Sequence, residues 1–220
     1  RDFCLSRGLG DVYKRQEEVK ELLQSGIPVV TIDYIFNDKA CVMSDNIRGM
    51  EQLVSYIIQC GHKKIAYIHG ADSFVTRSRI GSFLRTMKRY GIETEDRYIR
   101  EGIYHAPDVS AKITHELLSL EDRPTCIVYP DDFSCIGGIN VIRSKGLTIP
   151  NDISVAGYDG QRIARVIEPK ITTYRQNTEQ IGRVAATKLV ELIEQPELAL
   201  VERLDVQGEL IRGCSVLSMK

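Results

Sequence analysis

Short apolar runs alternate along this chain with longer segments whose apolar residues recur every three or four positions. The runs at 27–32 (IPVVTI), 64–69 (KIAYIH), 125–129 (TCIVY) and 153–156 (ISVA) carry almost no polar face, as strands covered on both sides do. A weaker strand is expected at Cys41–Met43, a short one within Tyr98–Tyr104, an extended segment at Ile171–Tyr174 and a closing strand over Leu204–Ile211. Between them lie amphipathic helices. Ile47, Met50, Leu53, Val54, Ile57 and Ile58 share one face, opened by Asp45-Asn46 and stopped by Gly61. A second helix, from about Thr76 to Tyr90, turns Ile80, Phe83, Leu84 and Met87 inward and closes at Gly91. A third, capped by Asp108, carries Val109, Ile113, Leu117 and Leu118. A fourth, capped by Asp132, runs through Ile136, Ile139 and Ile142 to Gly146. The last, Asn177 to Glu194, buries Ile181, Val184, Ala185, Leu189, Leu192 and Ile193. Val19, Leu22 and Leu23 mark a further helix end over Glu17–Ser25. This strand–helix alternation predicts a doubly wound α/β architecture.

Chemistry concentrates where the strands end. Pro150 to Gly160 reads as a turn, a short buried strand and a sharp break after Gly157. Asp159 then lies just beyond a strand's C-terminal end, where open α/β sheets bind ligands. Asp131-Asp132 follows another strand. Asp132 suits a helix N-cap, which leaves Asp131 as an acceptor for a ligand. Arg79, early in the second helix, offers a donor fork for hydroxyls or a carboxylate, against the alternative of a solvated helix face. Tyr104 offers an aromatic face for a sugar ring, against ordinary core packing. The four histidines, His62, His69, His105 and His115, have no metal spacing and read as structural or surface residues. No phosphate-cradling glycine loop follows a strand, and Gly137-Gly138 falls inside a helix, where close packing explains it. No nucleophile stands beside a base, so no enzyme, cofactor or metal is expected.

Composition is that of an ordinary globular chain: 220 residues, 43% hydrophobic, 27% charged, net charge −1. That balance gives no basic field for nucleic acid. Six cysteines are scattered without C-x-x-C spacing, which fits a reducing cytoplasm. No run approaches the ~18 apolar residues of a membrane span. Residues 1–16 (RDFCLSRGLGDVYKRQ) have neither helix nor strand periodicity and are expected to be non-native or disordered.

Several segments together resemble the effector-binding domain of LacI/GalR-type bacterial transcriptional regulators. They are IPVVTID at 27–33, SDN at 44–46, GHKKIAYIHG at 61–70, RSR at 77–79, PTCIVYPDD at 124–132, GLTIPNDISVAGYDG at 146–160 and EPKITTYRQNTEQIGRVAATKLVELI at 168–193. The likeness covers the chain from about Glu17 onward.

The resemblance implies two periplasmic-binding-protein-like type I subdomains with a small effector between them, a sugar or polyol, or a purine-like compound. It implies a partial N-subdomain over 17–62 and 175–196 and a C-subdomain over 63–174 and 197–220. The crossings then fall near Gly61–Lys64, Thr173–Gln176 and Gln195–Leu200. By position, Arg79 matches the family's effector-binding arginine, Tyr104 a variable aromatic pocket position and Asp159 the aspartate after Gly-Tyr. Asp131 takes the place of a commoner asparagine, and Ser82 stands where glycine is frequent. Family members begin with a DNA-binding headpiece absent here. The chain thus reads as the N-terminally truncated sensing part of a cytoplasmic, homodimeric repressor, which would meet operator DNA only through the missing headpiece. A periplasmic sugar-binding protein of a transporter is the alternative.

Overall fold

The computed structural model describes residues 25–36, 39–196 and 202–219. The expectations for residues 1–16 and most of the Glu17–Ser25 helix end lie outside them. Chain contacts divide into two compact units, Arg1–Ser44 with Thr178–Val206, and Asp45–Asn177 with Gln207–Lys220.

The smaller unit holds a parallel three-stranded sheet in the order β1 (Val30–Ile32), β2 (Ala40–Ser44), β8 (Arg203–Val206). Helix α6 (Thr178–Glu194) packs on β1 and β2. Val42, Ile181, Ala185 and Val206 form its core.

The larger unit is built on a six-stranded sheet in the order β4 (Ile99–Glu101), β3 (Ile65–His69), β5 (Cys126–Val128), β6 (Ser154–Asp159), β7 (Thr172–Arg175), β9 (Glu209–Ile211). All pairs are parallel except β7 with β9. The chain leaves β3 for β4 on one side and returns to β5 on the other, so the strand order reverses between β3 and β5. Such a reversal opens a crevice at the strand ends. Alternate strand residues feed two cores. Ile65, Tyr67, Cys126, Val128, Ala156 and Tyr158 pack with α1 (Asn46–Gln59) and α2 (Phe74–Arg89). Ala66, Ile68, Ile127, Tyr129 and Val155 pack with α3 (Pro107–Leu118) and α4 (Asp132–Ser144). This period-two division is why those strands read as continuous apolar runs.

Three details depart from expectation. The first division of the chain falls at Ser44/Asp45, not near Gly61–Lys64. The buried face of α1 (Met50, Leu53, Val54, Ile57) joins the larger unit's core, and the Ser82 hydroxyl donates to Ile47 O at 2.6 Å. The other divisions fall at Asn177/Thr178 and Val206/Gln207. The closing strand is two strands, broken at Gln207-Gly208, and they belong to different sheets. The short strand expected within Tyr98–Tyr104 is Ile99–Glu101, preceded by a 3-10 turn at Asp96–Tyr98. A short helix, α5 (Arg162–Val166), follows the Asp159 break, where the periodicity was too brief to show it.

His62 is buried, its ring nitrogens meeting Thr125 Oγ1 at 2.9 Å and Leu217 O at 3.1 Å. Burial lowers its pKa, overriding the helix end that would favour imidazolium. Among the described residues, no helix is long and apolar enough to cross a membrane.

Candidate functional site

Arg79 sits on the second turn of α2, a helix capped by Ser73. It is only 3% exposed. Its Nε donates to Asn46 Oδ1 at 2.8 Å and its Nη1 to Pro130 O at 3.2 Å. Its Nη2 lies 3.8 Å from Asp159 Oδ1. The guanidinium carbon lies 3.7 Å from the centre of the Tyr158 ring and 5.8 Å from that of Tyr104. Burial works against its charge, but Tyr104, Tyr158 and Asp159 outweigh it and the pKa is raised. The cation is therefore held in place by an amide, a carbonyl, a carboxylate and a π face, which fixes the direction of its remaining N–H groups.

Asp159 ends β6 with φ 91°, a region that non-glycine residues rarely occupy. Gln176 Nε2 donates to its Oδ1. Burial raises its pKa while Arg79 and Gln176 lower it. Its side chain keeps 19% exposure, enough for contact with a ligand.

Tyr104 follows β4. Its ring lies against Gly70, where a Cβ would come within 2.0 Å of the ring. Its hydroxyl is 3.0 Å from Thr76 Oγ1. Since Thr76 Oγ1 donates to Ala71 O at 2.8 Å, the phenol is the donor of that pair. The ring is half-buried, so one part remains open.

The two adjacent carboxylates do not take the roles expected for them. Asp131, not Asp132, is the N-cap of α4: its Oδ1 accepts from Ser134 N at 2.8 Å. Its Oδ2 accepts from Ser134 Oγ at 2.8 Å and from His105 N at 2.9 Å. It is fully buried and its oxygens are engaged, so it does not stand as a free acceptor. Asp132 is also fully buried, with Oδ2 accepting from Gln161 N at 2.6 Å.

Asp159 at the end of β6 and Tyr104 after β4 thus both lie near the Arg79 guanidinium, which also reaches Pro130 O just past β5, while Asp131 accepts from His105 N next to Tyr104. The sequence did not single out Asn46, Gln176 or Tyr158. Asp45-Asn46 was expected to open α1; Asp45 makes the cap by accepting from Arg48 N at 3.0 Å, and Asn46 begins the helix with its side chain turned to Arg79. Two buried phenols, Tyr67 and Tyr158, have no hydrogen-bond partner for their hydroxyls. Among the described residues no group of three His, Cys, Asp or Glu side chains converges on a point that would hold a metal.

A model of the periplasmic binding protein-like domain matches residues 54–216. The HTH-type transcriptional repressor PurR of Serratia proteamaculans is 34% identical over 197 residues, 86% of this chain and 56% of its own length. A Bacillus subtilis protein named "Probable HTH-type transcriptional repressor ExuR" is 30% identical over 182 residues, 81% of this chain and 54% of its own length. The chain thus spans little more than half the length of these relatives. Among solved structures, the transcriptional regulator CelR–cellobiose complex is similar with a TM-score of 0.83 at 27% identity, covering 90% of this chain and 61% of that one. A LacI transcriptional regulator from a Rhodococcus species gives a TM-score of 0.82 at 25% identity, covering 92% and 74%. The chain belongs to the periplasmic binding protein-like domain family and is similar, in sequence and fold, to transcriptional regulators of the LacI type.

Proposed function

We propose that this chain is the effector-sensing part of a DNA-binding transcriptional repressor, and that it takes a sugar or similar polyhydroxylated metabolite at the strand ends of its larger unit. The observation that carries the reading is the buried Arg79 aimed at Asp159 beside the open part of the Tyr104 ring. Asp159 accepts from ligand hydroxyls, Arg79 Nη2 donates, and Tyr104 covers an apolar ring face. Asp131 is given a supporting place, because its own acceptors are occupied. The relatives named as repressors favour this over a transporter's binding protein or an enzyme, and the CelR–cellobiose complex favours a sugar. A purine-like effector is the second reading, favoured by the PurR relatives. DNA binding, a homodimeric state and a cytoplasmic location are proposals for the whole protein.

Thermal-shift screening of sugars, including cellobiose, and of nucleobases tests the site. A ligand at about a hundred times its Kd should add about 2.7 kcal/mol to wild-type stability. Arg79→Ala should abolish that gain. Equal binding by Arg79→Ala removes the assignment.

A further inference from the structure

Asp132 has no part in the contacts proposed for the ligand, yet it touches the turn that follows Asp159. Its Oδ2 accepts from Gln161 N at 2.6 Å. The Thr173 hydroxyl accepts from Gly160 N at 3.2 Å. Two consecutive amides beyond Asp159 are therefore each held by a side chain, the first by Thr173 and the second by Asp132. These ties fall where the backbone is least able to hold itself: Asp159 has φ 91° and Gly160 φ 67°. A non-glycine residue at positive φ persists only where its surroundings over-determine it.

The other oxygen of Asp132 has no hydrogen-bond partner. It faces Gly157, where a Cβ would lie 2.2 Å from it. A buried carboxylate with one oxygen unpaired is costly, and the neutral acid is the cheaper form. The surrounding charges agree. Asp131 precedes it and Asp159 faces it from β6, both opposing ionisation. Arg79 is engaged with Asp159, and His105 with Asp131. Thr173 faces it from β7, and the buried thiol of Cys135 lies one turn on along α4. No salt bridge reaches Asp132 among the described residues. Burial, followed by these two carboxylates and only partly offset by the Thr173 and Gln161 hydrogen bonds, pushes its pKa up to about 8.

We propose that Asp132 is a positioning residue: its Oδ2 locks the Gly160–Gln161 turn and so aims the Asp159 carboxylate at Arg79. This rests on the reading of Asp159 as a ligand-binding group. Oδ2 accepts from Gln161 N whether or not the carboxyl group carries its proton, so the tie depends on where the side chain places that oxygen.

Amide hydrogen exchange at Gly160 and Gln161, in the 220-residue protein without ligand, tests the proposal. Asp132→Asn, whose side-chain oxygen can accept from Gln161 N as Oδ2 does, should keep wild-type protection. Asp132→Ala should speed both amides on the order of tenfold while Ile127 on β5 stays protected. Equal protection in Asp132→Ala and wild type overturns the proposal. If Asp132→Ala does not fold, Asp132→Asn decides, and exchange in that variant faster than in wild type below pH 7 overturns it. Binding of the best sugar from the thermal-shift screen to Asp159→Ala is measured alongside. Unchanged binding there removes the site reading without touching the exchange result.

Discussion

Gly70 lacks a side chain where the Tyr104 ring needs the space. Gly70→Ala should displace the ring and break the Tyr104–Thr76 hydrogen bond, costing about 1–3 kcal/mol, as overpacking does. Thermal denaturation should show a midpoint lower by about 3 °C per kcal/mol, and ligand affinity should fall with it. Asp159 stood out in the sequence because a charged group directly beyond an apolar run lies at a strand end; Arg79 stood out as an early position of the helix that follows β3. The Asp131-Asp132 pair was not fully legible. Both residues sit at the same helix start, and a shift of one position decides which caps the helix and which reaches the turn after β6. The partner of Arg79, Asn46, was hidden for a different reason: the contact spans thirty-three positions of sequence and depends on how α1 packs against α2.

At the scale of elements, the segment after β9 completes the larger unit. Ser215 Oγ donates to Val155 O at 2.6 Å and accepts from Thr172 N at 2.8 Å, joining β6 to the start of β7. Leu217 N donates to Ser154 Oγ at 2.9 Å, and Leu217 O meets His62. His62 links this segment to the loop before β3, and its lowered pKa gives the link a pH dependence. The unfolded chain binds the proton more readily than the folded one. Stability from this group is therefore full above the ordinary histidine pKa of about 6.5 and is lost as pH falls through the lower folded value. His62→Asn should lower stability at neutral pH by about 1 kcal/mol per lost hydrogen bond and flatten the decline below about pH 6.5. Denaturant titrations at several pH values read both effects. Helical periodicity showed which face of α1 is buried but not against which sheet, so the first boundary was misplaced. The break at Gln207-Gly208 was hidden because Val206 and Leu210 both continue the apolar character on either side of it.

At the scale of the molecule, β7 and β9 are the elements to follow. They run antiparallel with Arg175 opposite Glu209, so the points where the chain leaves and re-enters the larger unit are neighbours. Gly208 N donates to the Tyr174 hydroxyl at 2.8 Å and secures that neighbourhood. For the larger unit alone, everything from Thr178 to Val206 is one loop inserted at the tip of a hairpin. Joining Asn177 directly to Gln207 leaves a four-residue connection, within the usual range for hairpins. The shorter loop amounts to about three halvings of length, each worth about 0.6 kcal/mol of closure entropy. A chain running from Asp45 to Lys220 with that junction should fold in one cooperative transition and retain the Gly160 and Gln161 protection of the full protein. Loss of cooperative unfolding in calorimetry would show that the larger unit depends on the excised segment. The paired strands therefore mark a splice point: one sheet edge at which a whole module can be removed or exchanged without redesigning the fold that carries Arg79 and Asp159.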